Sequence, residues 1–177
     1  EITAETRYHA FLNGQWLGEG PARGYPEHYY YDRHDLRPAA RPGANELLVF
    51  VNYYGTASFH CVHAPPGLLA AISAGDRVLA LSDGSWQARV AAEYEPRTPR
   101  ISSQQDFEEQ LDARIAGAGE WLTVNAVHAQ AEDRHQDLRL RDVRLLSLVL
   151  KPFQRAFGAE AVRPLDRAWS FKTREIL

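Results

Sequence analysis

The chain has 177 residues, 45% of them hydrophobic and 24% charged, the balance of a globular domain long enough to bury a real apolar core. Lys and Arg total 20 against 23 Asp and Glu, a formal net charge of −3 with no basic stripe to neutralise a row of phosphates, which argues against a nucleic-acid partner. Apolar runs such as Leu145–Leu150 fall far short of the roughly 20 residues that cross a bilayer, and a lone cysteine, Cys61, excludes a disulfide framework.

In chain order, Glu1-Ile2-Thr3 opens as if in mid-strand, with no charged and apolar leader. No methionine occurs anywhere, and Phe171–Leu177 ends without a closing element, so both ends read as cuts in a longer polypeptide. The first strong signal is Asn13-Gly14 between two apolar-bearing runs. A type I′ turn needs positive φ at both central positions, so Tyr8–Leu12 and Gln15–Gly18 are expected as antiparallel neighbours. Gly20-Pro21-Ala22-Arg23-Gly24-Tyr25-Pro26 reads as a loop, and His28–Asp32, with three tyrosines, as a strand. After the turn Arg41-Pro42-Gly43-Ala44-Asn45, the apolar run Glu46–Tyr54 reads as a strand buried on both faces.

Pro65-Pro66-Gly67 breaks the chain, and strands are expected over Gly67–Ile72 and Asp76–Leu81. Trp86–Tyr94 alternates apolar and polar residues, the pattern of a half-buried strand. Ser103–Asp106 has capping-box spacing, with Phe107 and Leu111 four apart, which suggests a short helix over Asp106–Ile115. Trp121–Ala129 and Asp142–Pro152 read as strands, and Ala156–Val162 as helical. About seven to nine short strands separated by turns, with no alternation of strands and long amphipathic helices, describe an all-β sandwich with at most one or two short helices. Residues 1–150 are read as one module and 151–177 as a linker or the start of the next segment.

These residues also carry a family resemblance. Tyr8-x-x-Phe11-Leu12-Asn13-Gly14-x-Trp16-Leu17-Gly18-x-Gly20-Pro21-x-Arg23-Gly24, then Tyr29-Tyr30-Tyr31-Asp32 and Arg41-Pro42-Gly43-x-Asn45, resembles the N-terminal β-sandwich of bacterial α-L-rhamnosidases. A shorter skeleton of the same features resembles the jelly roll of β-galactosidases. Ser82-Asp83-x-Ser85-Trp86, Phe107-Glu108-Glu109-x-x-Asp112-Ala113-Arg114 and Arg141-Asp142-Val143 look like later rhamnosidase-type segments, although Gln110-Leu111 stand where those proteins carry Glu-x-Tyr before the Asp. The resemblance implies a jelly-roll β-sandwich of the galactose-binding-domain type. It further implies an accessory module without catalysis of its own, working beside a helical-barrel catalytic domain of the same polypeptide. Its partners would be that domain and a rhamnose- or galactose-containing carbohydrate.

The candidate chemistry is modest. Asp106, Glu108, Glu109 and Asp112 form an acidic cluster, but hydrolysis needs two carboxylates across a cleft, and a solvated face with Asp112 paired to Arg114 is the simpler reading. His60 and His63, with Cys61 between them, lack a third ligand at suitable spacing, so neither a metal site nor an activated thiol is assigned, and no cofactor is expected. Sugar recognition uses flat rings against pyranose faces, with polar groups fixing the hydroxyls. Tyr25, Tyr29, Trp16 and Trp86 are therefore the candidate rings, and Arg23, Glu27 and Asp83 the candidate polar contacts, with core packing the competing role for each ring. Asp32 and Asn45 are expected to shape turns. The alternative to a sugar-binding module is a purely structural domain that packs on the catalytic domain.

Overall fold

The computed structural model describes residues 1–25, 28–124 and 137–144, and residues 1–145 form one compact unit. It is an all-β sandwich. Among the described residues ten strands follow one another: β1 (Ile2–Glu5), β2 (Arg7–Leu12), β3 (Gln15–Gly20), β4 (Tyr29–Tyr31), β5 (Leu47–Asn52), β6 (Gly67–Ala74), β7 (Arg77–Leu81), β8 (Gln87–Ala88), β9 (Leu122–Thr123) and β10 (Leu138–Leu140). One 3-10 turn, Ala113–Ile115, is the helical element among the described residues.

Two three-stranded sheets, ordered β1-β6-β7 and β3-β2-β5, form the body. Their inner faces meet at Ile2, Ala4, Tyr8, Ala10 and Ala70, with Leu17, Val49, Leu68 and Trp86 packed around them. Alternation is clean on β2, where Tyr8, Ala10 and Leu12 are buried and Arg7 and His9 exposed, as period two demands of a strand with one wet face. On β1 all four residues are buried. The outer face of β1 is covered by β4, since the Thr3 hydroxyl donates to the Tyr30 carbonyl at 2.8 Å and the Tyr29 hydroxyl to the Glu5 carboxylate at 2.9 Å. β4 pairs in parallel with β10, Leu138 opposite Tyr29 and Leu140 opposite Tyr31.

The expected hairpin is present: Asn13 has φ 52° and Gly14 φ 79°, and Leu12 pairs with Gln15. Asn45 shapes its turn as expected, accepting from the Arg41 amide at 2.9 Å and donating to the Arg41 carbonyl at 2.8 Å. It also accepts from Asn13 Nδ2 at 2.9 Å, so one side chain ties the hairpin to the following loop.

Other expectations are corrected. β5 is only half-buried: it is an edge strand of its sheet, with Leu47 to Phe50 partly covered and Val51 and Asn52 exposed. The strand expected over Trp86–Tyr94 shrinks to Gln87–Ala88, since tight turns follow in which the Ala92 and Tyr94 amides bond the Val90 and Ala91 carbonyls. The helix expected over Asp106–Ile115 reduces to the 3-10 turn Ala113–Ile115. Arg100 bridges Phe107, Tyr94 bridges Leu111, and the chain between folds as a tight return capped by Ser102, whose hydroxyl accepts from the Gln104 and Gln105 amides. Phe107 is drawn into this arrangement by Tyr54, 5.5 Å away, and by the Arg100 guanidinium 5.0 Å over its ring. Of the strand expected over Trp121–Ala129, Leu122–Thr123 forms; residues 125–129 lie outside the described set, as do 145–152 and the expected helix and module boundary beyond.

Asp32 is likewise not a turn residue. It is 1% exposed and receives the Tyr8 hydroxyl on one carboxylate oxygen and Arg141 Nε on the other. His34 Nε2 lies 2.9 Å from the Tyr8 oxygen; because the tyrosine proton is given to Asp32, the imidazole N–H donates to that oxygen. Burial pushes the Tyr8 hydroxyl far above the usual phenol range, with the Asp32 hydrogen bond adding to it, and burial lowers His34.

Candidate functional site

A cleft of about 150 Å³ opens where the β1–β2 junction, the loop after β3, the start of β4 and the segment around residue 60 converge. Its lining is Glu5, Thr6 and Arg7, then Pro21 to Gly24, Tyr29, and His60, Cys61 and Val62. Its groups reach it for local reasons. Glu5 is the last residue of β1, on the face that β4 covers, so its carboxylate is buried and takes the Tyr29 hydroxyl. Arg7 begins β2 on its outward face, paired with Asp106 at 2.6 Å and lying 5.9 Å over the Tyr54 ring. Burial pushes Tyr54 up to about 12, with the neighbouring Asp106 carboxylate adding to the shift against Arg7.

Arg23 is held across the mouth by one bond, from Nη1 to the Phe59 carbonyl at 2.7 Å. His60 Nε2–H donates to the Gln104 carbonyl at 2.9 Å, and the Cys61 thiol lies 3.3 Å from the Ser58 hydroxyl, which donates in turn to Asp106 at 3.3 Å. The cleft thus mixes a buried acceptor, guanidinium donors and an apolar strip of Pro21, Ala22 and Val62. That combination can grip hydroxyl groups, with guanidinium donors and a carboxylate acceptor in one cleft. Glu5 is the one carboxylate among the described lining residues, whereas glycoside hydrolysis uses a pair. Among the described residues no three His, Cys, Asp or Glu side chains converge as metal ligands would.

A solved structure shares this fold. It is a GH78 family rhamnosidase of Bacillus sp. GL1, similar with a TM-score of 0.70 and 29% identity over 81% of this chain. The match covers 16% of that rhamnosidase, so the present chain corresponds to a small part of its length. No protein-family model and no curated protein sequence matches the chain.

The candidate residues divide between the cleft and elsewhere. Arg23 and Tyr29 line it, and Tyr25, 68% exposed and bridged to His28, follows its last loop residue. Glu27 lies outside the described residues. Trp16 stands on the outer face of the β2–β3 hairpin, edge-on to His9 at 5.2 Å and Phe11 at 5.3 Å. Asp83 accepts from the Ser85 amide and hydroxyl in a tight turn, bonds that lower its pKa, and Trp86 packs partly buried against the core. The sequence does not single out Glu5 and Arg7, for a physical reason. An acidic residue closing an apolar strand reads as solvated, and only the crossing of β4 over β1 buries it.

Proposed function

We propose that this chain is an accessory, non-catalytic module of an α-L-rhamnosidase-like glycoside hydrolase, with a galactose-binding-like jelly-roll topology, and that it holds a rhamnose- or galactose-type sugar in the cleft between Glu5, Arg23 and Tyr29. The observation that carries this reading is the convergence in one small cleft of Arg23, Tyr29 and a buried carboxylate. At about 150 Å³ the cleft is smaller than the roughly 300–1,000 Å³ usual for larger organic ligands, a size that suits one sugar ring at a chain end. The similarity to a short part of a GH78 rhamnosidase fits a module beside a catalytic domain.

The test is ligand-observed NMR of the chain against a panel that includes rhamnose, galactose and plant polysaccharide fragments. Arg23→Ala should weaken binding at least about tenfold, since a hydrogen bond to a charged group contributes roughly 1.5–3 kcal/mol. Tyr25→Ala should weaken it less, and Trp16→Ala not at all. Silence across the panel from the folded chain removes the sugar-binding reading.

A second reading has its own observation. Ala71 pairs with Leu81 and Ser73 with Val78, so Leu69, Val78 and Leu81 share the face of the β6–β7 hairpin turned away from the core. Leu79 is the inserted residue of the bulge between them. Val78, Leu79 and Leu81 are 56%, 55% and 52% exposed, an apolar face suited to packing on a neighbouring domain.

A further inference from the structure

The short parallel pair β4–β10 joins the cleft to a buried ion pair at its far end. β4 spans three residues. Its first, Tyr29, lines the cleft and donates to Glu5, and the residue after its last is Asp32, the acceptor of Arg141. β10 lies along the whole of it, Leu138 against Tyr29, Arg139 against Tyr30 and Leu140 against Tyr31. The Arg141 amide then extends the ladder, donating to the Tyr31 carbonyl at 2.9 Å. Its guanidinium turns inward to Asp32, with Nη2 3.2 Å from the Glu19 carbonyl.

A two-stranded ribbon of three residues has little stability of its own. Arg141 helps to fix its register, because a buried carboxylate accepts one partner geometry and a slip by one residue would leave it short of its cation, while β4 is also tied to β1 by the mutual backbone bonds of Ile2 and Asp32 at 2.9 and 2.8 Å. The segment 137–141 thus forms a strap along β4, held by the backbone ladder and by Arg141 on Asp32. At the other end the strap is tied loosely, with Asp137 3.7 Å from His28 and 2.9 Å from Arg139, all at exposed positions. The docked strap completes the backbone pairing of β4 at Tyr29, and β4 carries the Tyr29 side chain that lines the cleft.

We infer that docking of the 137–141 strap and occupancy of the Glu5–Tyr29 cleft are linked, so that a bound sugar tightens the strap and loosening the strap weakens sugar binding. This rests on the sugar-binding reading of the cleft. Linkage is reciprocal: a ligand that prefers the docked arrangement stabilises it by the factor by which undocking weakens the ligand.

The experiment uses the 177-residue chain, with methyl α-L-rhamnoside as probe and hydrogen exchange of the amides of Leu138–Arg141 and Tyr29–Tyr31 as readout. Arg141→Lys keeps the charge and removes the planar fork. The paired change Asp32→Asn with Arg141→Gln offers an uncharged bond in its place, should the single variant fold poorly. Without probe, both variants should exchange faster at Tyr29–Tyr31 than the parent chain, and unchanged exchange there overturns the strap. With saturating probe, exchange at Leu138–Arg141 should slow in the parent chain, and Arg141→Lys should bind the probe about fivefold or more weakly, the lower end of ordinary couplings between sites. Probe binding that perturbs Tyr29 yet leaves exchange at Leu138–Arg141 and the variant's affinity unchanged overturns the linkage while the cleft keeps its sugar. No binding of the probe or of any sugar in the panel sinks the cleft reading and the linkage with it.

Discussion

Gly20 closes β3 against three side chains at once. A Cβ at this position would overlap the Asp32 carboxylate, and would lie 2.8 Å from Arg141 Nη2 and 2.9 Å from Tyr8 Cε1. None of these atoms is the free end of an exposed chain; each belongs to the buried network, so the added methyl must displace an ion pair. Gly20→Ala should therefore lower unfolding stability by roughly 3 kcal/mol or more, the scale of breaking a buried charge pair, measured as a shift in urea midpoint. A loss under about 1 kcal/mol would mean that the network can slide. His34 adds a pH signature to the same network. Burial holds its folded pKa below the ordinary 6.5, against the opposing pull of Asp32 and the hydrogen bond to the Leu17 carbonyl. Arg141 and the chain's amino terminus lower it further. The unfolded chain thus takes up a proton as pH falls through 6.5 while the folded one does not, so stability is lost from that point down to the folded pKa. His34→Gln should flatten the stability profile between about pH 7 and 5, and an unchanged slope would assign the acid sensitivity of that window to other groups.

At the level of elements, what could be read from the sequence was what is set locally. Asn13-Gly14 dictates its own backbone angles, and Asn45 bonds within four residues, so both were legible. Phe107 and Leu111 were misread because their helical spacing is also satisfied by two bridges to Arg100 and Tyr94, partners that only the folded chain brings near. Asp32 followed the same rule: its partner Arg141 is 109 residues away. The candidate site was half-legible on similar grounds. The loop carrying Arg23 and Tyr25 announced itself by glycine and proline, whereas Glu5 became a site residue only through the strand laid over it. The core is also thinner than the apolar content suggests, since Ala4, Ala10 and Ala70 hold its centre. Ala10 is 1% exposed, so a larger side chain there has no open surface into which to extend. Ala10→Leu should cost about 1–3 kcal/mol from overpacking despite its greater hydrophobicity, again as a urea midpoint, and a stabilising result would reveal a void between the sheets.

For the molecule as a whole, the two faces of the β1-β6-β7 sheet differ in how they are finished. One packs on the β3-β2-β5 sheet; the other is roofed by β4 over β1 and, among the described residues, left bare over β6 and β7. A bulge on an edge strand ordinarily discourages pairing with another chain's edge, which points to the face rather than the edge as the surface in use. Val78→Thr, Leu79→Gln and Leu81→Thr together should leave the stability of this chain within about 1 kcal/mol of the parent, because side chains more than half exposed have little burial to lose. If the face packs on a neighbouring domain, the same triple change in a polypeptide containing that domain should lower its thermal midpoint and raise exchange along β6 and β7. If instead the isolated chain loses several kcal/mol, the bare face contributes to its own folding. If neither protein responds, the face has no packing role, and the proposed accessory function rests on the cleft alone.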